Sequence, residues 1–239
     1  MTIPKIVHQT HPTCILPEST LGVRDTMMES NPEYKFLLYD DAEIDSFMKR
    51  CFSGEVYDCF SALNVGAAKA DLWRYCILYH VGGIYLDIDS RIIGSIDELI
   101  EDTDTCLITR EKNPNHFNQW IVICERKHPI MLRAIEICCE NIKRRLNISI
   151  VELTGPGAYT RAINETLLPH IKKQYTNVYH IEDKYLNSIV TSEDFPVHCR
   201  FYKADFGDYA RFKYPGFKEL YGSDENRIVH WGTQSKIYV

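Results

Sequence analysis

The stretch from Ala67 to Asp89, AAKADLWRYCILYHVGGIYLDID, constrains the fold of this chain more than any other segment. Its first part predicts a helix, because four residues at steps of three and four would share one face: Ala67, Asp71, Arg74 and Leu78. Gly82 and Gly83 follow the last periodic residue, and glycine commonly ends helices because it accepts the left-handed conformation. The segment therefore predicts a helix that stops and passes directly into the next element.

The residues from Ile84 to Asp89 alternate between apolar side chains and others, which predicts a strand. Tyr85, Asp87 and Asp89 would then share one face, with successive side chains on it roughly 6–7 Å apart. Two carboxylates at that spacing can share one hard cation, and without a cation their like charges would repel. The alternative is an ordinary strand end that dips into solvent, where aspartate is common.

The charged pair on the predicted helix is the second feature of interest. Asp71 and Arg74 are at i and i+3, a spacing that also forms ordinary ion pairs on exposed helix faces. Ala67 and Leu78 continue their face, however, and charges on an otherwise apolar stripe are unusual in a surface helix. We therefore expect the pair to lie in a cleft.

Taken together, these residues resemble the sugar-nucleotide signature of DXD glycosyltransferases. The pattern runs Asp71-x-x-Arg74-Tyr75-x-x-Leu78-x-x-x-Gly82-Gly83-x-Tyr85-x-Asp87-x-Asp89. It is most similar to glycosyltransferase family 32, which includes the yeast Golgi initiating mannosyltransferases, and the clostridial glucosylating toxins share the same core. The resemblance implies the Rossmann-like GT-A fold, with residues 1–239 as a single catalytic domain. The alternation of predicted strands and helices independently indicates an α/β protein with a mainly parallel sheet.

The resemblance also implies a reaction and a set of roles. The enzyme would be a metal-dependent, retaining transferase that moves a hexose from a UDP- or GDP-sugar to a hydroxyl of a glycan or other acceptor. Asp71 and Arg74 would hold hydroxyls of the donor sugar, and Tyr85 would contact the donor. A cation, Mn²⁺ or Mg²⁺, would be held by Asp87, Asp89 and His230, since related enzymes place a His-Trp pair near the end of the chain. The implied catalytic residues are Asp71, Arg74, Asp87 and Asp89.

The first predicted strand, from Ile3 to Thr10, ends in the polar residues His8, Gln9 and Thr10. Ligands of open α/β sheets bind at the carboxyl ends of strands, so these side chains would face the cleft. Family members have a similar opening, which implies a contact with the nucleotide, although they usually carry Trp where this chain has His11. A polar strand end without a ligand is the alternative.

Two further positions are candidates for donor contacts. Gly155 lies in Thr-Gly-Pro-Gly, just before a predicted helix from Ala158 to Leu168, where backbone N–H groups can approach an anion or a sugar. A similar element in the family favours a role in the cleft over that of an ordinary loop. Asn118, in a polar loop before a buried strand, is the candidate for a contact near the reacting carbon.

The remaining elements complete the expected scaffold. Further strands are predicted at Tyr34–Tyr39, Cys106–Thr109, Trp120–Cys124, Val178–Ile181 and Ile228–Gly232, and helices after Asp40, within 54–65 and at Pro129–Leu146. Asp40 and Glu43 have the spacing of a capping box at the start of one helix. In the helix that begins at Pro129, Leu132 is expected to face inward.

The net charge and the cysteine content limit the possible functions of the chain. The net charge of −6 argues against non-specific nucleic-acid binding, which needs a basic face. No apolar run approaches the ~20 residues of a membrane span, and we expect no signal peptide because the chain enters a strand almost at once. The nine cysteines show no CxxC pair, which indicates a reducing compartment without a disulfide framework. We expect a soluble, cytoplasmic protein, with peripheral attachment to a membrane and the oligomeric state left open.

Two other functions remain open from the sequence. Asp-x-Asp after an apolar strand also resembles the nucleophile motif of haloacid dehalogenase phosphatases and phosphotransferases, but that motif usually has Thr or Val where this chain has Arg91. A catalytically silent carbohydrate-binding protein is the second alternative. The intact Asp71, Arg74, Asp87 and Asp89 argue against such a loss of activity.

Overall fold

The structure is a computed structural model that describes residues 3–110, 116–171, 176–180, 199–202, 210–222, 228, 230 and 236–239. Its centre is a six-stranded sheet in the order β2-β1-β3-β6-β5-β7. The strands of this sheet are β1 Ile6–Thr10, β2 Lys35–Tyr39, β3 Gly83–Leu86, β5 Cys106–Thr109, β6 Ile121–Cys124 and β7 Cys199–Tyr202. A separate two-stranded ladder pairs β4, Ser90–Ile92, with β8, Ala210–Phe212.

The sheet is mostly parallel, as predicted. β1 pairs in parallel with β2 and β3, and β5 pairs in parallel with β7, whereas β6 runs antiparallel to both β3 and β5. The carboxyl ends of β1, β2, β3 and β5 therefore meet the beginning of β6 at one edge of the sheet. This is the edge at which open α/β sheets bind ligands.

Seven α-helices surround the sheet in the part of the chain that the structure describes. They are α1 Glu18–Ser30, α2 Asp41–Cys51, α3 Glu55–Ala62, α4 Gly66–Val81, α5 Pro129–Lys143, α6 Ile150–Leu153 and α7 Pro156–Leu167. α4 is buried over most of its surface and packs against α5, so it is the central helix of the larger hydrophobic core. The predicted capping box of α2 is present, since Asp40 and Glu43 accept reciprocal backbone N–H bonds.

Gly82 and Gly83 end α4 for two reasons. Both have positive φ angles, +77° and +103°, which only glycine adopts without strain. In addition, a Cβ atom on Gly83 would lie 2.6 Å from the carbonyl oxygen of Ile6, and one on Gly82 would lie 2.6 Å from the backbone nitrogen of Arg126. The glycines therefore allow the end of α4 to approach the neighbouring backbone segments closely.

The expectation that Asp87 and Asp89 share a strand face is wrong. β3 ends at Leu86, and the next residues form a turn in which the Asp87 carbonyl accepts the N–H of Ser90 at 2.9 Å. The Asp87 N–H donates to the Trp120 carbonyl at 2.8 Å, which continues the β3–β6 register by one residue before the chain turns. Local alternation predicted a longer strand because it carries no information about where the pairing partner ends. The two carboxylates consequently sit in different surroundings.

Other differences from the sequence-based expectations are local. The segment Val178–His180 forms a turn of 3₁₀ helix instead of a strand, and Leu132 is exposed instead of facing inward. Of the strand predicted at Ile228–Gly232, only residues 228 and 230 lie within the described residues.

All nine cysteines are free, as predicted. Within the described residues, every helix is too short or too polar to cross a membrane.

Candidate active site

Arg74 joins three structural elements at the ligand-binding edge of the sheet. Its Nη2 atom lies 3.1 Å from Oδ1 of Asp71 and 3.2 Å from Oδ1 of Asp87, and its Nη1 atom donates to the Gln119 carbonyl at 2.6 Å. The guanidinium also lies over the Tyr85 ring, 4.3 Å from its centroid. One side chain of α4 therefore fixes the end of β3 and the approach to β6.

Both carboxylate oxygens of Asp71 accept hydrogen bonds although the residue is buried. Its Oδ1 atom accepts from Nε2 of Gln119 at 2.9 Å, and its Oδ2 atom accepts from the Thr154 hydroxyl at 3.0 Å. Burial raises the pKa of Asp71, while Arg74 and the bonds from Thr154 and Gln119 oppose the rise. Asp71 and Arg74 are both about 95% buried, so the alternative of an ordinary surface ion pair is wrong for this helix.

Asp87 is the more accessible of the two DXD carboxylates, with 26% of its side chain exposed. The Tyr85 hydroxyl donates to its Oδ1 atom at 2.7 Å, the same oxygen that faces Arg74. Desolvation raises the pKa of Asp87 to about 6, the negative charge of Asp89 adds to the rise, and Arg74 opposes it. A positive charge beside the two carboxylates would lower this pKa.

Asp89 is buried and is held by the C-terminal part of the chain. Its Oδ2 atom accepts from Nζ of Lys213 and from the Tyr221 hydroxyl, both at 2.7 Å, and its backbone carbonyl accepts the N–H of Tyr214 at 3.2 Å. Oδ1 of Asp89 has only a distant contact, at 3.5 Å, with the Ser90 hydroxyl. The segment that contains β8 therefore packs directly against the turn.

The chemistry of this donor set fits a hard divalent cation. Within the described residues, Oδ2 of Asp87 has no hydrogen-bond partner and Oδ1 of Asp89 has only the weak one, so each carboxylate keeps an oxygen for a metal. The third predicted ligand, His230, is exposed, and its ring centroid lies 6.1 Å from that of Tyr221. The ligand atoms of Asp87, Asp89 and His230 do not all lie within 4.8 Å of one another, so these three residues do not form a closed site here.

The polar end of β1 is more deeply buried than expected. His8 is fully buried, with Nε2 3.0 Å from the Gly82 carbonyl and Nδ1 3.1 Å from the Tyr39 hydroxyl. Burial lowers the pKa of His8 to about 4, partly opposed by the bond to Gly82. The Thr10 hydroxyl donates to the Tyr39 carbonyl at 3.1 Å. Both side chains are bonded to the scaffold, but the half-buried Thr10 hydroxyl oxygen can still accept a hydrogen bond from a ligand.

Gln9 and its neighbour His11 carry buried nitrogens that lack partners. Oε1 of Gln9 accepts from Arg24, but its Nε2 atom and Nε2 of His11 have no hydrogen-bond partner among the described residues. Unpaired buried polar atoms are costly, and at the carboxyl end of a strand they suit a polar ligand. These atoms are the part of the β1 end that favours the predicted contact with the donor.

Gly155 and Asn118 lie beside the site in different ways. A Cβ atom on Gly155 would lie 2.9 Å from Cα of Val151, so this glycine lets α7 start against α6. Asn118 is buried, with its Nδ2 atom 3.3 Å from the Arg110 carbonyl and its backbone N–H bonded to the Thr109 carbonyl. Neither residue is hydrogen-bonded to Asp71 or Arg74.

Four residues of the site are not predicted by the sequence pattern. Gln119 and Thr154 bond Asp71, and Lys213 and Tyr221 bond Asp89. The Thr-Gly-Pro element contains Thr154 and could have pointed to it. No such element contains Gln119 or Lys213, and Tyr221 is one of many C-terminal aromatic residues.

Comparison with known proteins gives a consistent result. Residues 17–106 match the family model described as glycosyltransferase sugar-binding region containing DXD motif. The chain is 30% identical over 157 residues to a mannosyl phosphorylinositol ceramide synthase of Saccharomyces cerevisiae, covering 64% of this chain and 40% of that protein. It is 25% identical over 202 residues to an initiation-specific α-1,6-mannosyltransferase of Candida albicans, covering 68% of this chain and 52% of that one.

A solved structure shares the fold. The structure described as PaToxG glycosyltransferase superposes with a TM-score of 0.60 at 19% identity, over 70% of each chain. The expected resemblance to DXD glycosyltransferases and the expected fold class are thus confirmed, and the relatives' names agree with the predicted enzyme class. The chain spans well under two thirds of the length of the first curated relative.

Proposed function

We propose that this chain, which carries a DXD sugar-binding region and resembles yeast mannosyltransferases, is a metal-dependent, retaining glycosyltransferase. It would move a hexose from a nucleoside-diphosphate sugar to a hydroxyl of a glycan or other acceptor. Residues 1–239 would form one catalytic domain. Because several relatives are named mannosyltransferases, mannose is the first sugar to test.

One observation carries this proposal. The Arg74 guanidinium bridges the buried carboxylate of Asp71 and the accessible carboxylate of Asp87. A charge network of this kind is costly to bury, so a role in binding explains it better than a role in stability. It lies at the ligand-binding edge of the sheet and within the region that matches the DXD family model.

The residues have complementary tasks in this proposal. A divalent cation, bound by Asp87 and Asp89 with His230 as the proposed third ligand, would neutralise the charge on the departing diphosphate. Arg74 and Asp71 would bind hydroxyl groups of the donor sugar. Tyr85 holds Asp87 through a hydrogen bond and supports Arg74 with its ring, so it orients both groups.

The surroundings of Asp71 also favour retention over inversion. Inversion needs a general base for the acceptor hydroxyl, and Asp71 is the nearest candidate in the motif. Both of its oxygens already accept hydrogen bonds from scaffold groups, and it faces Arg74. An oxygen of the leaving diphosphate is therefore the proposed proton acceptor, with Asn118 proposed near the reacting carbon.

The experiment is a panel of UDP- and GDP-sugars, including a mannosyl donor, incubated with Mn²⁺ and scored for release of the nucleotide without acceptor. We expect one donor to be cleaved, and both EDTA and Asp89→Ala to abolish the cleavage. Glu98→Gln, an exposed acidic residue outside the site, is the matched control. Release of phosphate from p-nitrophenyl phosphate, or full turnover in excess EDTA, would contradict the proposal.

A further inference from the structure

The ladder formed by β4 and β8 places two arginines directly opposite each other. Arg91 pairs with Arg211 in the register, so both side chains lie on the same face of this two-stranded sheet. Like charges at directly opposed positions destabilise a β-ladder. Neither arginine forms an ion pair with another described residue. Their repulsion is thus uncompensated within the part of the protein that the structure describes.

Arg91 also has an unsatisfied donor. Its Nε atom is buried and has no hydrogen-bond partner among the described residues, although a guanidinium offers five N–H donors. A buried donor without an acceptor costs free energy that a bound acceptor would recover. This is a second observation, independent of the charge pairing, that points to a missing anion.

The two arginines open into a groove of about 450 Å³. Lys213 and Lys218 also line the groove, and Glu219 is its one carboxylate among the lining residues. Glu219 accepts a hydrogen bond from the Ser19 hydroxyl at 2.8 Å, and Lys213 is bonded to Asp89. In a chain of net charge −6, this is a local concentration of positive charge.

The groove adjoins the candidate active site. β4 begins at Ser90, immediately after Asp89, and Lys213 both lines the groove and contacts the Asp89 carboxylate. A molecule in the groove would therefore lie beside the donor without replacing it at the carboxylates.

We propose that this groove binds a phosphate group of the acceptor substrate. Arginine forks suit phosphate oxygens, because they donate parallel hydrogen bonds in a fixed geometry. The inference rests on the proposed function, which it extends by giving the acceptor a chemical class. The acceptor would be a hydroxyl compound that carries a phosphate. Arg91 and Arg211 would hold the phosphate, and the hydroxyl would be directed towards the turn that contains Asp87 and Asp89, the DXD turn.

The first test measures binding without any donor, using glycerol 3-phosphate and, as its neutral counterpart, glycerol. We expect calorimetry to show binding of glycerol 3-phosphate alone. Arg211→Gln should weaken it roughly tenfold or more, the value of one charge-assisted hydrogen bond. Lys49→Gln, an exposed basic residue on α2, should bind like the wild type. Equal binding by Arg211→Gln, or no binding by the wild type, would overturn the proposal.

A stability measurement provides an independent check. In phosphate-free buffer, Arg211→Gln should raise the melting temperature because it removes the repulsion from Arg91, and glycerol 3-phosphate should stabilise the wild type more than this variant. If glycerol 3-phosphate raised the melting temperatures of the wild type and Arg211→Gln by the same amount, the result would count against the site. Both measurements are scored even if no sugar nucleotide is cleaved, so this inference and the proposed function fail separately.

Two further arms identify the ligand. Glycerol 3-phosphate should remain bound when a nucleoside diphosphate and Mn²⁺ are added, and its displacement would assign the groove to the donor and overturn the proposal. Sedimentation with phosphatidylcholine vesicles, with and without phosphatidylglycerol, separates the two sources of phosphate. Co-sedimentation with vesicles that requires phosphatidylglycerol and Arg211 supports a lipid acceptor. Binding of glycerol 3-phosphate without co-sedimentation supports a water-soluble acceptor.

Discussion

Lys213 and Asp89 form an ion pair between residues 124 positions apart, with Nζ 2.7 Å from Oδ2. The carboxylate is buried, while the lysine is partly exposed. The bond connects the segment that contains β8 to the turn that carries both DXD carboxylates. In the proposed holoenzyme, Asp89 would hold the metal ion while it also accepts from Lys213.

The first prediction concerns this pair. Lys213→Met leaves the buried Asp89 carboxylate with Tyr221 as its main partner, so the metal-free variant should melt at a lower temperature than the wild type. Because a cation can compensate the same charge, Mn²⁺ should raise the melting temperature of the variant more than that of the wild type. Lys218→Met serves as control. If Mn²⁺ raised the melting temperatures of Lys213→Met and the wild type equally, Lys213 would not compensate the charge of Asp89.

The second prediction concerns Asp71. Removing one partner of a buried charge pair costs roughly 3–5 kcal/mol, and Asp71→Asn also replaces an oxygen that accepts from Gln119 or Thr154 with a donor. We expect the free energy of unfolding to fall by about 3 kcal/mol. We expect the turnover of the donor by the folded variant to fall by more than this loss of stability accounts for. Denaturant unfolding and kinetics on the folded protein measure the two. Glu136→Gln, in an exposed ion pair with Arg133, should cost less than about 1 kcal/mol.

The third prediction concerns His230. If it binds the metal, it must be neutral, and His230→Ala should raise the Mn²⁺ concentration for half-maximal activity without changing the maximal rate at saturating metal. His170→Ala, another exposed histidine, is the control. An identical Mn²⁺ requirement in wild type and His230→Ala would make this residue part of the scaffold.

The fourth prediction is a pH dependence of stability. The pKa of His8 is lowered to about 4, so between that value and its ordinary pKa of 6.5 the unfolded chain binds a proton that the native protein does not. Stability should therefore fall as the pH drops through this window, with a contribution of about 3 kcal/mol from His8. His8→Gln should flatten the dependence by that amount, and His170→Gln should not. Parallel curves for His8→Gln and the wild type would contradict the burial argument.

The fifth prediction is stereochemical. Retention requires that an α-linked donor give an α-linked first product. The one-bond carbon–proton coupling at the anomeric carbon, measured by NMR before secondary reactions, distinguishes the two outcomes for mannose. A β-linked first product would show inversion, and a general base would then have to be sought among other residues.

The sequence predicted those parts of the site that depend on local spacing. The helix with Asp71 and Arg74, the glycine stop and the start of β3 are all contained in one continuous stretch, and their periodicities are visible there. The contacts that complete the site are not local. Gln119 and Thr154 reach Asp71 from 48 and 83 residues away. Gln119 lies just before β6 and Thr154 just after α6, so only the tertiary fold brings them together.

The DXD turn shows why a correct motif gave a wrong local structure. Strict alternation from Ile84 to Asp89 is equally compatible with a long strand and with a short strand followed by a turn. The choice depends on β6, which pairs with β3 from Gly83 to Leu86. One further bond joins the Asp87 N–H to the Trp120 carbonyl, and the chain then turns so that the Asp87 carbonyl accepts the N–H of Ser90. Strand pairing is a property of two segments, and the sequence of one segment does not contain it.

The close approach at Gly82 and Gly83 limits how this scaffold can vary. With no room for a Cβ atom at either position, the end of α4 has one permitted spacing from β1 and from the chain after β6. That spacing also fixes the separation between the helix that carries Arg74 and the strand that leads to Asp87. Attempts to redirect the protein to another sugar should therefore leave this junction intact, because any change in its spacing would move Arg74 relative to Asp87.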